Sequence, residues 1–305
     1  MCWRSPNGKR YRLVFRRTVS KADIHAYGIR VEICPLDEEY TVQIVTGINA
    51  RMTNAGVQNF YDGNKRVLDR RFLYLDQTMT QSKVTLYHCC GTRVEQGTID
   101  HHSFGMQRRN IEEETCFRVN IGVTGAFEKL AVLYTSRDFQ KQEETQVMTL
   151  IPEHLKSLMA EGYERLNRKS AESYRNYWEM HDIQVKTDSD KIQLALRFAQ
   201  YHLQAMIPVD NRSSIAAKGL TGEGYKGHVF WDTEVFILPY FLFCEPHKAK
   251  QLLEYRINRI DQAKKNAEKN GYRGIMVPWE SAEKGNEETP LFANMDILNN
   301  FSESQ

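Results

Sequence analysis

Over roughly the first 150 residues, apolar side chains alternate with polar ones or cluster in short runs between turn residues. Tyr11–Val19 follows an Asn7-Gly8 turn signal. Ile29–Cys34, Tyr40–Thr46, Val84–Cys89, Cys116–Val123 and Lys129–Tyr134 continue the series. Short β-branched and aromatic runs separated by turns predict an antiparallel β-sandwich over 1–150. The period then changes. Leu155, Leu158, Met159, Tyr163 and Leu166 recur at helical spacing, with Tyr174, Tyr177 and Trp178 behind them. This predicts a helical linker of one or two helices over 151–187, with Pro152 near its first turn.

From residue 188 to 305 the pattern is helical with long loops. Ile192, Ala195, Leu196, Ala199, Leu203 and Met206 form one stripe, ended by Pro208. A second helix is expected from near Trp231 through Phe243, bent at Pro239. A third follows Pro246, with Leu252, Leu253, Ile257, Ile260, Ala263 and Ala267 on one face and Gly271 as its C-terminal glycine. The fold class is therefore β followed by α: a sandwich, a helical linker, then the first part of an α/α barrel whose loops at one end build a site.

Charge narrows the partners. Of 305 residues, 41 are Lys or Arg and 39 are Asp or Glu, so the net charge of +2 leaves no footprint for nucleic acid or an anionic membrane. No apolar run is long enough for a membrane span. Residues 1–20 are rich in Arg and Lys and lack the apolar stretch of a secretory signal. The six scattered cysteines include no C-x-x-C pair and read as reduced thiols of a cytoplasmic protein. Asn211-Arg-Ser213 and Asn300-Phe-Ser302 are then glycosylation sequons without meaning. Neighbouring His101 and His102 make a poor ligand pair and read as a polar surface loop; no metal site is expected.

The chemistry concentrates in Gly222-Glu-Gly-Tyr-Lys-Gly-His-Val-Phe-Trp-Asp-Thr-Glu234, a glycine-rich loop passing into an aromatic segment. Gly222-x-Gly224-x-x-Gly227 matches the dinucleotide fingerprint, but no strand precedes it, so nucleotide binding is not expected. Trp231 beside Asp232 suits a sugar: an indole face packs on pyranose C–H groups, and a carboxylate accepts from hydroxyls. Trp279-Glu280 repeats the pairing in a second Gly-rich, acidic stretch, and both pairs facing one pocket would supply the mixture a sugar needs. The plain alternative is that Trp279 anchors the core and Glu280 caps a helix.

These two segments resemble glycoside hydrolase family 65, the inverting phosphorylases of maltose, trehalose, kojibiose and nigerose and related α-glucoside hydrolases. The resemblance rests on Lys218 through Glu234, on Pro278-Trp-Glu-Ser-Ala282 and on Glu287-Glu-Thr-Pro290. Phe15-Arg-Arg-Thr-Val-Ser20, Gly47-Ile-Asn-Ala50 and Thr53-Asn-Ala-Gly-Val-Gln-Asn-Phe60 extend it into the N-terminal half. It implies a β-sandwich, a helical linker and an (α/α)6 catalytic barrel. It implies that Trp231 and Asp232 bind the glucosyl unit, that Trp279 and Glu280 line the same pocket, and that Lys226 and His228 sit on the loop beside it. The implied reaction is attack of inorganic phosphate, a co-substrate, on an α-linked glucose disaccharide. A carboxylic acid protonates the leaving oxygen, and β-glucose 1-phosphate forms with inversion. No other cofactor is implied; a homodimer is compatible with it.

The family's general acid lies in a Gly-Pro-Asp-Glu-Tyr-His-like segment with no counterpart here. Pro35-Leu-Asp-Glu-Glu-Tyr40 is only a lookalike, and the phosphate-binding Ser and His loops have no counterpart either. The expectation is an internal piece of a longer enzyme, inactive alone, with its general acid beyond Gln305 and no catalytic residue among those present. His228-Val-Phe230 looks nearer to kojibiose- or trehalose-type members. An α-glucoside hydrolase of the same family and a non-catalytic carbohydrate-binding fragment are the alternatives.

Overall fold

Among the described residues, ten strands and two helices make the first unit, Met1–Met180. In this computed structural model the described residues are 2–54, 56–139, 146–186, 188–222 and 224–290. The strands are β1 (Cys2–Arg4), β2 (Arg10–Val19), β3 (Ala26–Pro35), β4 (Tyr40–Asn49), β5 (Lys65–Leu68), β6 (Phe72–Thr78), β7 (Thr85–Glu95), β8 (Thr98–Gln107), β9 (Asn110–Val119) and β10 (Gly125–Thr135). They form a seven-stranded sheet, β1-β2-β3-β10-β7-β6-β5, and a three-stranded sheet, β4-β9-β8. Neighbours pair antiparallel throughout.

The two sheets face each other across two apolar clusters. Ile48 and Ile111 meet Leu73, Leu75, Cys90 and Ala131. Val42, Phe117 and Val119 meet Ile33 and Phe127. The larger sheet is covered on its other face too. Phe72, Tyr74, Cys89, Leu130 and Val132 pack against Val147, Ile151, Leu155 and Leu158 of α1 (Val147–Glu161). β6 and β7 are therefore buried on both faces, which explains the adjacent buried Cys89 and Cys90.

Pro152 lies inside α1, beyond the first turn expected for it. Gly162, at φ 81°, separates α1 from α2 (Tyr163–His181). That φ, with ψ 169°, is a backbone conformation that side-chain-bearing residues rarely adopt, so the break between the helices favours glycine, and the Arg93 guanidinium lies close by. Arg93 also donates to Met159 O near the helix end and, at 2.8 Å, to the fully buried Glu128. Glu128 further accepts from the Tyr163 amide and from Arg30.

The second unit, His181–Gln305, is mainly helical. It contains α3 (Asp190–Met206), β11 (Val229–Phe230), a π-helical turn (Thr233–Ile237), α4 (Leu238–Cys244), α5 (Pro246–Ile257), α6 (Ile260–Lys269) and β12 (Glu280–Ser281). This run of helices after a β-sandwich has the character of the opening of an α/α barrel. Ile215, Phe241, Ala249 and Leu252 form its core, joined by Leu203 and Met206.

Three helical expectations need correction. The α3 stripe is not buried along its length: Ile192 is 52% exposed, and the buried residues of α3 are Gln200 and Gln204. Among the described residues the N-terminal part of that stripe has no apolar cover. The helix expected from Trp231 is a π-turn followed by α4. Pro239 stands in the first turn of α4 and does not bend its interior. The helix after Pro246 is two helices, broken at Asn258–Arg259. Leu253, Ile257 and Ile260 of the expected face are exposed, while Leu252, Ala263 and Ala267 are buried.

His101 and His102 lie in strand β8, at a register shift, and not in a loop. Among the described residues no helix is long and apolar enough to cross a membrane, and no cluster of His, Cys, Asp or Glu has metal-site geometry. All six cysteines are free. The expectations placed on 291–305, including the second sequon, lie outside the described residues.

Candidate functional site

The two aromatic–acidic segments meet through a short antiparallel ladder. Val229 pairs with Ser281 and Phe230 with Glu280. Apolar Val229 and Phe230 are buried, so this ladder is a fixed part of the unit. Trp231 and Trp279, one step along in register, come together edge to face with ring centroids 5.9 Å apart. Phe236, from the π-turn, packs on Trp231 at 5.9 Å. The Trp231 indole nitrogen is buried and finds no acceptor among the described residues. Such a group is costly in a mere core filler.

Glu280 is buried, and its Oε1 accepts a 2.7 Å hydrogen bond from His228 Nδ1. That bond fixes Nδ1 as the protonated nitrogen and leaves Nε2 as an acceptor in the neutral ring. Glu280 therefore caps no helix; it lies in β12 and orients His228. Asp232 is exposed, opens the π-turn and makes no side-chain capping bond. Its carboxylate is open to a ligand hydroxyl.

The glycine-rich loop is a 3-10 turn, Gly224–Gly227, followed by β11. A helix does not follow its third glycine, so the dinucleotide geometry is absent. Tyr225 and Lys226 adopt left-handed φ values of 60° and 52°. Strain of this kind, of order 1–3 kcal/mol per residue, collects at functional sites. Lys226 is exposed on this turn, next but one to His228.

Four further residues support the pairs: Glu287, Glu234 and Thr233 lie within the sequence motifs without an assigned role, and Arg256 was not singled out in the sequence. Glu287 receives the amides of Trp279 at 2.8 Å, Glu280 at 3.2 Å and Thr289 at 3.2 Å, and the Thr289 hydroxyl at 2.6 Å. One carboxylate thus ties down the backbone of the second pair. Glu234 and Arg256 form a two-pronged ion pair, both arms 3.0 Å, joining the π-turn to α5. Thr233 donates to Ile215 O at 3.0 Å and anchors the turn to the core. The Glu-x-Thr spacing after Trp-Glu was a readable sign of the first. Glu234 and Arg256 stand 22 residues apart, and no local pattern links them.

The assembled features are two indoles, an open carboxylate, a carboxylate–imidazole pair and a strained basic turn. Apolar ring edges beside hydroxyl acceptors and donors make a polyhydroxylated ring the natural occupant.

Comparison with known proteins agrees in kind. Residues 1–178 match the model of the glycosyl hydrolase family 65 N-terminal domain, and residues 197–305 match that of the family's central catalytic domain. A kojibiose phosphorylase of Halothermothrix orenii is 39% identical over 97% of this chain, and one of Escherichia coli is 38% identical over 97%. The chain spans 39% of the length of each of these relatives. A solved structure from the human microbiome, described as a candidate kojibiose phosphorylase, superposes with a TM-score of 0.83 over 94% of this chain and 37% of its own. At 19% identity that likeness speaks for the fold alone. On both domain models together, the chain belongs to glycosyl hydrolase family 65.

Proposed function

We propose that this chain carries the glucosyl-binding part of the site of an inverting α-glucoside phosphorylase, with kojibiose as the disaccharide. Trp231 and Trp279 provide the apolar platform. Asp232 accepts from ring hydroxyls, and the Glu280–His228 pair presents a polar edge of fixed orientation. Lys226, on the strained turn, lies within the same segment. The observation that carries the reading is the β11–β12 ladder, which joins the two segments at Trp231 and Trp279. The choice of kojibiose follows the relatives named above, together with His228-Val-Phe230 in the loop.

These residues bind and orient; none is assigned the proton transfer. Glu280 is taken up by His228 and Asp232 is exposed, and both have a binding role in this reading. In the whole enzyme, phosphate attacks the anomeric carbon while an acid outside this set protonates the leaving oxygen. The domain division that goes with this reading is a sandwich over 1–150, a helical linker over 151–187 and barrel helices from 188. Calorimetric titration of the 305-residue chain tests the proposal. Saturable binding of kojibiose, weaker binding of maltose, trehalose and nigerose, and loss of binding in Asp232→Ala are expected. Equal binding of all four would remove the linkage assignment, and no binding by folded wild-type protein would remove the site.

A further inference from the structure

A second site lies in the β-rich unit. Asp62, Lys65, Gln77, Arg108 and Arg109 line a small cavity open to solvent. Its floor is firm: Gln77 and Leu75, both buried, come from β6, the strand beside edge strand β5. Three cations face one carboxylate there. Asp62 takes Arg108 Nε at 2.9 Å on one oxygen and Arg109 Nε on the other. These bonds, Arg109 first, hold the Asp62 carboxyl below the usual range, so it stays ionised and spent on the two guanidinium Nε groups. Lys65 Nζ donates to Gln107 O at 2.6 Å and has two further protons. Asp62 leaves two of these positive charges unmatched. The neighbouring Asp76, whose oxygens accept only from the neutral Asn64 and Tyr74, offsets one of them, so a net single positive charge remains.

The backbone adds an independent argument. Arg108 and Arg109 are the two loop residues of the β8–β9 hairpin, which closes on the Gln107–Asn110 pair. Arg109 has a φ of 58°, where glycine or asparagine is at ease. Arg70 and Gln96 adopt the same left-handed φ in other turns of this unit; at Arg109 the turn fixes where the side chain leaves the backbone, beside the cavity. Arg109 is pinned by Asp62 and by Phe60 O at 3.0 Å, at the end of the Thr53–Phe60 segment. Arg108 is left 81% exposed, with its outer guanidinium edge open.

We infer that this cavity binds a compact oxyanion of the phosphoryl type, either free phosphate or the phosphate of a sugar phosphate. A phosphoryl group carries a charge of about −1.5 to −2 at neutral pH, more than enough to meet that surplus, and guanidinium pairs phosphate oxygens in two-pronged fashion. The occupant lies against the outer edge of Arg108 and the free ammonium protons of Lys65, above Gln77. This assignment is independent of the glucosyl site.

The test is titration of the 305-residue chain with inorganic phosphate and with glucose 1-phosphate at constant ionic strength, with chloride and acetate as controls. Binding of one equivalent that weakens with added salt is expected. The pair Lys65→Gln with Arg108→Gln loses at least tenfold in affinity while its circular dichroism stays unchanged. Asp62→Asn, which removes the internal competitor, gains affinity several-fold. A merely structural cluster would not produce that opposite sign. Equal binding of both ligands shows recognition of the phosphoryl group alone, and preference for glucose 1-phosphate shows added sugar contact; each upholds the site. Undiminished binding in the Lys65/Arg108 variant, equal binding of chloride, or no binding would overturn it.

Discussion

Replacing Glu287 by glutamine isolates what orders the Trp279–Glu280 strand. The carboxylate accepts four hydrogen bonds, three on Oε1 and one, from the Trp279 amide, on Oε2. Glutamine keeps a single acceptor oxygen. Placed at Oε1, that oxygen retains three partners, and its amino group then faces the Trp279 N–H, donor against donor. The loss is that of one hydrogen bond to a charged group, about 1.5–3 kcal/mol. Because the change falls on one short strand, it shows as local opening. Amide hydrogen exchange at Trp279 is expected to quicken by about 10- to 150-fold. Exchange in α1, within the other unit, stays as it was. Glucoside affinity falls with it, since part of the binding energy must now order the strand. Unchanged exchange at Trp279 would show that the β11–β12 ladder holds the strand unaided and that Glu287 has no positioning role.

Two further outcomes are expected. His88, between Tyr27 and Lys129, has its pKa pushed down to about 4 by burial. The unfolded chain then binds more protons than the folded one between that value and the usual 6.5, so stability is full above 6.5 and falls as pH drops towards 4. The loss is at most about 3 kcal/mol. Urea unfolding of His88→Gln across this window should give a flatter acid limb, and parallel curves would refute the assignment. The helical unit exposes Phe198 by 64%, Phe236 by 66% and Phe243 by 85%. The 305-residue chain should therefore bind a hydrophobic dye and self-associate, and Phe198→Lys with Phe243→Lys should reduce both. A monodisperse wild type without dye binding would contradict that.

The sandwich was legible wherever one face of a strand meets the core and the other meets water. β6 was not, because Phe72-Leu-Tyr-Leu75 is buried on both faces and shows no alternation. β8 was missed for the opposite reason: its Thr-Ile-Asp-His-His-Ser run is an exposed edge with little apolar signal. The helices after residue 188 were placed by their periodicity, but which stripe is covered depends on distant neighbours, as Ile192 and Leu253 show. Within the site, the Trp-acid pairs stood out in composition. Their meeting through β11 and β12 did not, because two residues in each strand are too few to pattern. Glu280's partnership with His228, 52 residues away, is likewise a product of the fold.

The central claim is that Trp231 and Trp279 form one sugar platform. Titrating the 305-residue chain with kojibiose while following tryptophan fluorescence tests it most directly, using the single variants Trp231→Phe and Trp279→Phe and the double variant. If one sugar lies across both rings, the wild type shows a saturable change. Each single variant weakens binding, and the double variant falls short of the sum of the two losses, because the rings act on one ligand. Strictly additive losses, or saturable binding that survives in the double variant with unaltered affinity, would contradict the account.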